Sequence, residues 1–180
     1  MIADSISKRY AKALVSVAAN NQELELQAQQ LKAVLATIEG NNELKDFLTN
    51  PVVSREHKKG TLNPLVERLG VSASLKSFLL LLAEKDRLKG LDNILRWHKE
   101  LVDERMNRAH AKVTAARPLG ETERQALLNK LSEITQKQIS IEEHVDPNLI
   151  GGVVAQIGST IYDGSVRRQL AMIKEELIKE

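Results

Sequence analysis

The sequence predicts an α+β protein: an N-terminal six-helix bundle over residues 1–105, then a small C-terminal α/β domain over residues 106–180 of order βαββα. Two observations predict it. Up to about Arg105, apolar residues recur three and four positions apart between capping residues, the period of a helix that buries one face. After Met106 they fall at every second position, the period of a half-buried strand, with helical stretches between. A length of 180 residues fits one ordinary domain or two small ones.

The first helix opens at Asp4 or Ser5, carries Ile6, Tyr10, Ala13, Leu14 and Val17 on one face, and is expected to end at Asn20-Asn21. A second, from about Gln22 to Glu39, has a narrow seam of Leu24, Ala28, Leu31, Leu35 and Ile38, with Gly40 as its stop. Leu44, Phe47 and Leu48 mark a short third helix. Ser54 caps a fourth with Leu62, Leu65, Val66 and Leu69, which Gly60 and Pro64 are expected to weaken or kink. Ser72 or Ser74 begins a fifth, where Leu75, Phe78, Leu79, Leu81 and Leu82 are apolar nearly all round. The sixth carries Leu88, Leu91, Ile94, Leu95, His98, Leu101 and Val102.

In the second half, Ala109, Ala111, Val113 and Ala115 alternate with polar residues in a strand over His110 to Ala116. Glu121 to about Lys137 reads as a helix with Leu127, Leu128, Leu131 and Ile134 inward. Its expected cap is a shifted box of Thr122 with Gln125, because Gly120 has no side chain to offer. Ile139, Ile141, Glu143 and Val145 alternate in a second strand. Val153 to Ile157 with Ile161 supplies a third strand or a pair, and a final helix carries Val166, Leu170, Ile173 and Leu177.

Composition excludes several chemistries. With no cysteine there is no disulfide framework, thiolate metal site or cysteine nucleophile, so a reducing cytosolic setting is the default. Lys and Arg total 26 against 24 Asp and Glu, and residues 106–180 hold 10 of each, so neither part hides a strongly basic, nucleic-acid-binding domain. The longest apolar run, Phe78 to Ala83, is too short to span a bilayer, and the first residues lack the features of a secretory signal. The chain is expected to stay where it is made, with no insertion into a membrane.

No catalytic, cofactor or metal constellation is expected. Gly151, Gly152 and Gly158 match neither a P-loop nor a dinucleotide fingerprint and read as turn punctuation. His57, His98, His110 and His144 fall in four different elements. Glu142 and Glu143 are strand neighbours on opposite faces, expected as edge or surface charges rather than a paired acid and base. Ser159 and Ser165 read as turn and cap residues, and Asp163, before Gly164-Ser165, as a helix cap. What remains is interaction surface. The small-residue face of the first helix beside Tyr10 and Leu14, and the surplus leucine of the fifth, either pack the bundle or form an outer groove for a partner's amphipathic helix.

Three segments together resemble a known family, the delta subunit of F-type ATP synthases, whose mitochondrial counterpart is the oligomycin-sensitivity-conferring protein. They are Arg9-Tyr10-Ala11-Lys12-Ala13-Leu14; Phe78 to Ala83 followed by Arg87-Leu88; and Asp146-Pro147-Asn148-Leu149-Ile150-Gly151-Gly152-Val153-Val154-Ala155-Gln156-Ile157-Gly158 with Asp163-Gly164-Ser165-Val166-Arg167. The resemblance spans essentially the whole chain. It implies a non-catalytic stator subunit, one copy per complex, on the cytoplasmic face of a bacterial membrane. Such a subunit joins the catalytic head to the peripheral stalk, so that the head resists rotor torque during proton-coupled ATP synthesis.

By the same resemblance, the bundle receives the N-terminal helix of an alpha subunit through Tyr10, Ala13, Leu14, Val17, Phe78, Leu79 and Leu82. The C-terminal domain engages the b subunits of the stalk, and Asp146, Pro147, Leu149, Gly151, Gly152, Gly158, Asp163, Gly164, Ser165, Val166 and Arg167 form the family motif that shapes it. The alternative reading is a free-standing helical adaptor that uses the same surfaces on unrelated partners.

Overall fold

A run of capped helices gives way after Met106 to a sheet, and the computed structural model, which describes residues 2–179, divides there into units 1–106 and 107–180. The first unit contains α1 (Ile2–Val17), α2 (Asn21–Glu39), α3 (Asn42–Thr49), α4 (Arg55–Arg68), α5 (Ala73–Glu84) and α6 (Leu91–Arg105). Four helices start where a short polar side chain accepts a hydrogen bond from an otherwise orphaned N–H of the first turn. Asn20 accepts from Glu23, Asn41 from Leu44, Ser54 from His57 and Ser72 from Leu75. Asn20 therefore opens α2 rather than closing α1, which already ends at Val17.

One other boundary differs from the sequence expectation. Leu88 lies in a 3-10 turn, Leu88–Gly90, ahead of α6. The fourth helix is unbroken through Gly60 and Pro64. Pro64 cannot donate to the carbonyl four residues back, but that residue is Gly60 and both positions are exposed, so water can take the missing bond. The buried seam of α2 is Leu24, Gln27, Leu31, Val34 and Ile38. Ala28 and Leu35 flank it half-buried.

The bundle core gathers Leu14, Leu31, Val34, Leu62, Val66, Leu75, Leu79, Leu82, Leu91 and Ile94. A smaller cluster of Val15, Ala18, Leu24 and Val102 continues it between α1, α2 and α6. At the start of α1, Asp4 accepts hydrogen bonds from Arg96 and from the Trp97 indole, both at 2.7 Å, and Lys8 lies 4.4 Å over the Trp97 ring. Asp4 thus fastens α1 to α6.

The second unit contains β1 (Arg108–Ala115), α7 (Glu121–Thr135), β2 (Gln138–Val145), β3 (Val153–Ile157), β4 (Thr160–Asp163) and α8 (Val166–Lys179). The alternative left open at Ile161 resolves as a pair of strands, giving a mixed sheet in the order β2-β1-β3-β4. The crossover through α7 makes β1 and β2 parallel, with Ala111 opposite Ile141, while β3 pairs antiparallel to both β1 and β4. Ala111, Val113 and Ala155 on one sheet face pack with Leu131 of α7.

The start of α7 corrects a prediction. Gly120 is the cap residue, and the Glu123 carboxylate accepts from its N–H at 2.9 Å, leaving no capping role for Thr122 and Gln125. The helix stops at Thr135, with Gln136 left-handed at φ +55, and Ile134, expected inward, is exposed. On α8 Leu170 and Ile173 are also exposed. The side chain of Leu177 lies outside the described residues.

Candidate functional site

Helical periodicity decides which side chains of α1 and α5 can meet a partner. Successive residues turn by about 100°, so Ile6, Tyr10, Ala13 and Val17 share the edge of α1 opposite the one that Asp4 and Lys8 turn towards α6. On α5, Lys76 and Glu84 pair with Glu67 and Lys59 of α4. Phe78 marks the other edge, and there it meets Tyr10 edge-on, with ring centroids 6.3 Å apart and planes at 70°.

The seven side chains proposed for this groove therefore divide. Leu14, Leu79 and Leu82 are core residues, and Phe78 is nearly buried beneath Tyr10. Tyr10 is half-buried, Ala13 is exposed, and Val17 is 62% exposed. Leu81, one step beyond Phe78 on the same side of α5, is 42% exposed and belongs to the accessible edge. An all-round apolar helix gives no periodic signal to pick it out.

The turn after α5 closes one end of this surface. Asp86, Arg87 and Lys89 line a cleft with Ile6 and Tyr10 of α1 and Asn93 of α6. The Asp86 carboxylate is bonded by the Lys58 ammonium, which comes from α4 and is 1% exposed. Asp86 itself is 44% exposed, whereas a separate pair is buried on both sides, the His98 ring facing Gln27 at 3.3 Å. Burial pushes the His98 imidazole down to about 4, so it is neutral at pH 7.

In the second unit, the residues of the glycine-rich motif bond to one another. Asp146 accepts from the backbone N–H of Asn148 at 2.9 Å and from its side-chain amide at 2.8 Å, which holds its carboxyl below the usual range. Its own N–H donates to Ala115 at the end of β1. Pro147 occupies this turn, and Leu149 closes it by donating to the Asp146 carbonyl.

The chain ahead of β3 then lies against the start of α8. Val166 N–H donates to Gly151 O at 3.0 Å and Gly164 N–H to Val153 O at 2.9 Å. Gly152 has φ +80, and a Cβ there would sit 2.3 Å from Gly164 O. Gly158, at φ +58, turns β3 into β4. Asp163 accepts from Ser165 N–H at 2.9 Å, while the cap of α8 is Ser165, whose hydroxyl accepts from Arg168 N–H. This corrects the assignment of the cap to Asp163. Arg167 is exposed and Val166 half-buried.

The carboxylates with shifted acidity, Glu67, Glu84, Glu123, Asp146 and Asp163, all move downward towards N–H or cationic partners. Glu143, expected as a surface charge, accepts from Leu119 N–H at 2.8 Å and holds the loop ahead of α7. Among the described residues, no group of three His, Asp or Glu side chains could hold a metal ion, and no helix is long and apolar enough to cross a membrane.

A family model described as "ATP synthase delta (OSCP) subunit" matches residues 6–177. "ATP synthase subunit delta" of Anaeromyxobacter sp. (strain Fw109-5) is 40% identical over 98% of this chain and 99% of its own length. The protein of the same name from Myxococcus xanthus (strain DK1622) is 38% identical over 98% of each. Among solved structures, a chain of the Toxoplasma gondii mitochondrial ATP synthase hexamer superposes with a TM-score of 0.62 at 20% identity, covering 96% of this chain and 97% of that one. At that identity the likeness is one of fold.

Proposed function

Since the chain belongs to the ATP synthase delta (OSCP) subunit family, we propose that it is a non-catalytic stator subunit that ties the catalytic head of an F-type ATP synthase to its peripheral stalk. The observation that carries this reading is the full-length match to delta subunits, on a chain whose motif residues serve turns and caps. The domain assignment is part of the proposal. The helical unit takes the N-terminal helix of an alpha subunit, and the α/β unit takes the b subunits, with one copy in each complex on the cytoplasmic side of the membrane.

In the helical unit, Tyr10, Ala13, Val17 and Leu81 present the accessible apolar edge, and Leu14, Phe78, Leu79 and Leu82 support it from beneath. A partner helix with apolar residues three and four apart fits such a surface. In the second unit, Leu170 and Ile173 of α8 offer an uncovered apolar face suited to a stalk helix.

The work of such a joint is mechanical. A nanomolar contact corresponds to about 12 kcal/mol, which packed helix faces with a few anchors can supply. Two contacts on one chain also reinforce one another, because engaging the first raises the effective concentration of the second. Affinity purification of the tagged chain from its own cells tests the reading. It predicts recovery of alpha and b subunits; recovery without any synthase subunit would leave the free-standing adaptor as the better account.

A further inference from the structure

The turn between α5 and the Leu88–Gly90 segment has the hydrogen bonds of a glycine-type helix stop, yet carries an aspartate. Arg87 N–H donates to Leu82 O at 2.8 Å and Asp86 N–H to Ala83 O at 3.2 Å. The residue between the helix end and Arg87 must be left-handed, and Asp86 sits there at φ +52, where glycine is the usual choice. What aspartate offers and glycine cannot is a carboxylate, and that carboxylate receives the buried Lys58 ammonium. A lysine that is 1% exposed needs such a partner, because an unpaired buried charge is strongly disfavoured.

The pair links an element remote from α1 to the turn that closes the groove. Asp86, Arg87 and Lys89 line the cleft beside Ile6 and Tyr10, and Tyr10 also meets Phe78 in the groove floor. Lys58 itself stands on α4, where a partner on the α1 edge cannot reach its buried ammonium. We propose that Lys58 is a positioning residue for the alpha-helix groove, acting through Asp86 to fix the end of the groove against α4. This rests on the groove reading above and goes beyond it, because it makes affinity depend on a side chain outside the contact.

The test uses the full chain and a synthetic peptide of the alpha-subunit N-terminus, with affinity read by calorimetry and folding by circular dichroism and thermal midpoint. In Lys58→Met with Asp86→Gly, the buried charge and its partner leave together and the left-handed turn is kept, so the fold is retained. The expected result is a near-parental midpoint with affinity about tenfold weaker. Lys58→Met alone removes the buried ammonium and leaves Asp86, whose side chain is 44% exposed, to water, so it is expected to fold and to weaken affinity even if the double variant does not fold. Parental affinity in either folded variant would overturn the proposal. Absence of peptide binding to the unaltered chain would instead reject the groove itself.

Discussion

Gly152 and Gly164 approach so closely that a Cβ on Gly152 would lie 2.3 Å from the Gly164 carbonyl oxygen and 2.9 Å from Ser165 Cα. With φ at +80, the position combines a left-handed backbone with contact against another backbone, neither of which a side chain can relieve. The Gly151-Gly152 pair and the Gly164 turn clasp the entry to β3 against the start of α8. Gly152→Ala is expected to destabilise the second unit by roughly 2–4 kcal/mol. Denaturant unfolding of the full chain, followed by circular dichroism, reads this as an early loss of the α/β unit.

Adjacent leucines on α5 should behave oppositely. Leu82 is fully buried, so Leu82→Ala is expected to cost about 2–5 kcal/mol. Leu82→Asp, at a position the family resemblance assigns to the partner contact, would bury a charge and unfold the bundle. Leu81→Asp should keep the thermal midpoint nearly parental while weakening binding of the alpha-subunit peptide. Thermal scans and calorimetry on both positions check the assignment of buried and accessible edges.

The Gln27–His98 pair gives the bundle an acid sensitivity with a defined sign. His98 is held neutral with its folded pKa near 4, below its ordinary 6.5. The unfolded chain therefore binds the proton more readily between those values. The contribution is complete above about pH 6.5 and is lost as pH falls towards 4, with a slope of at most about 1.4 kcal/mol per pH unit. Replacing both residues with leucine should flatten this part of the stability profile, because the titrating group and its partner leave together. A slope unchanged from the parent would assign the acid sensitivity to other groups.

The cap of α7 separates two nearby residues. Glu123 accepts from Gly120 N–H and is held by Arg117 at 2.6 Å, whereas Thr122 takes no part in the cap. Glu123→Ala should lower the thermal midpoint of the α/β unit, while Thr122→Ala leaves it unchanged. Equal effects would contradict this assignment.

Period and capping chemistry made the architecture legible. Ser54, and Ser72 of the two serines offered for the fifth helix, each precede an apolar repeat and each accepts the expected N–H. Some errors are choices between neighbouring caps, as at Asn20 and Gly120, and the rest fall where the deciding interaction is not local. Asn20 could have ended one helix or begun the next, and the bond that opens α2 decides it. On α5 the sequence does not distinguish the accessible edge, since Leu79, Leu81 and Leu82 look alike in a run of leucines. Lys58 and Asp86, 28 residues apart, become partners only once α4 lies beside α5. Gln27 and His98 likewise meet only across the packed bundle.

The central claim is that one chain holds head and stalk together. Sedimentation of the full-length chain with the alpha-subunit N-terminal peptide and the soluble part of the b subunits tests this directly. The account predicts one ternary species in which one chain carries both partners at once, with Leu81→Asp releasing only the peptide. Mutual displacement of the two partners, or failure of the chain to bind either, would contradict it.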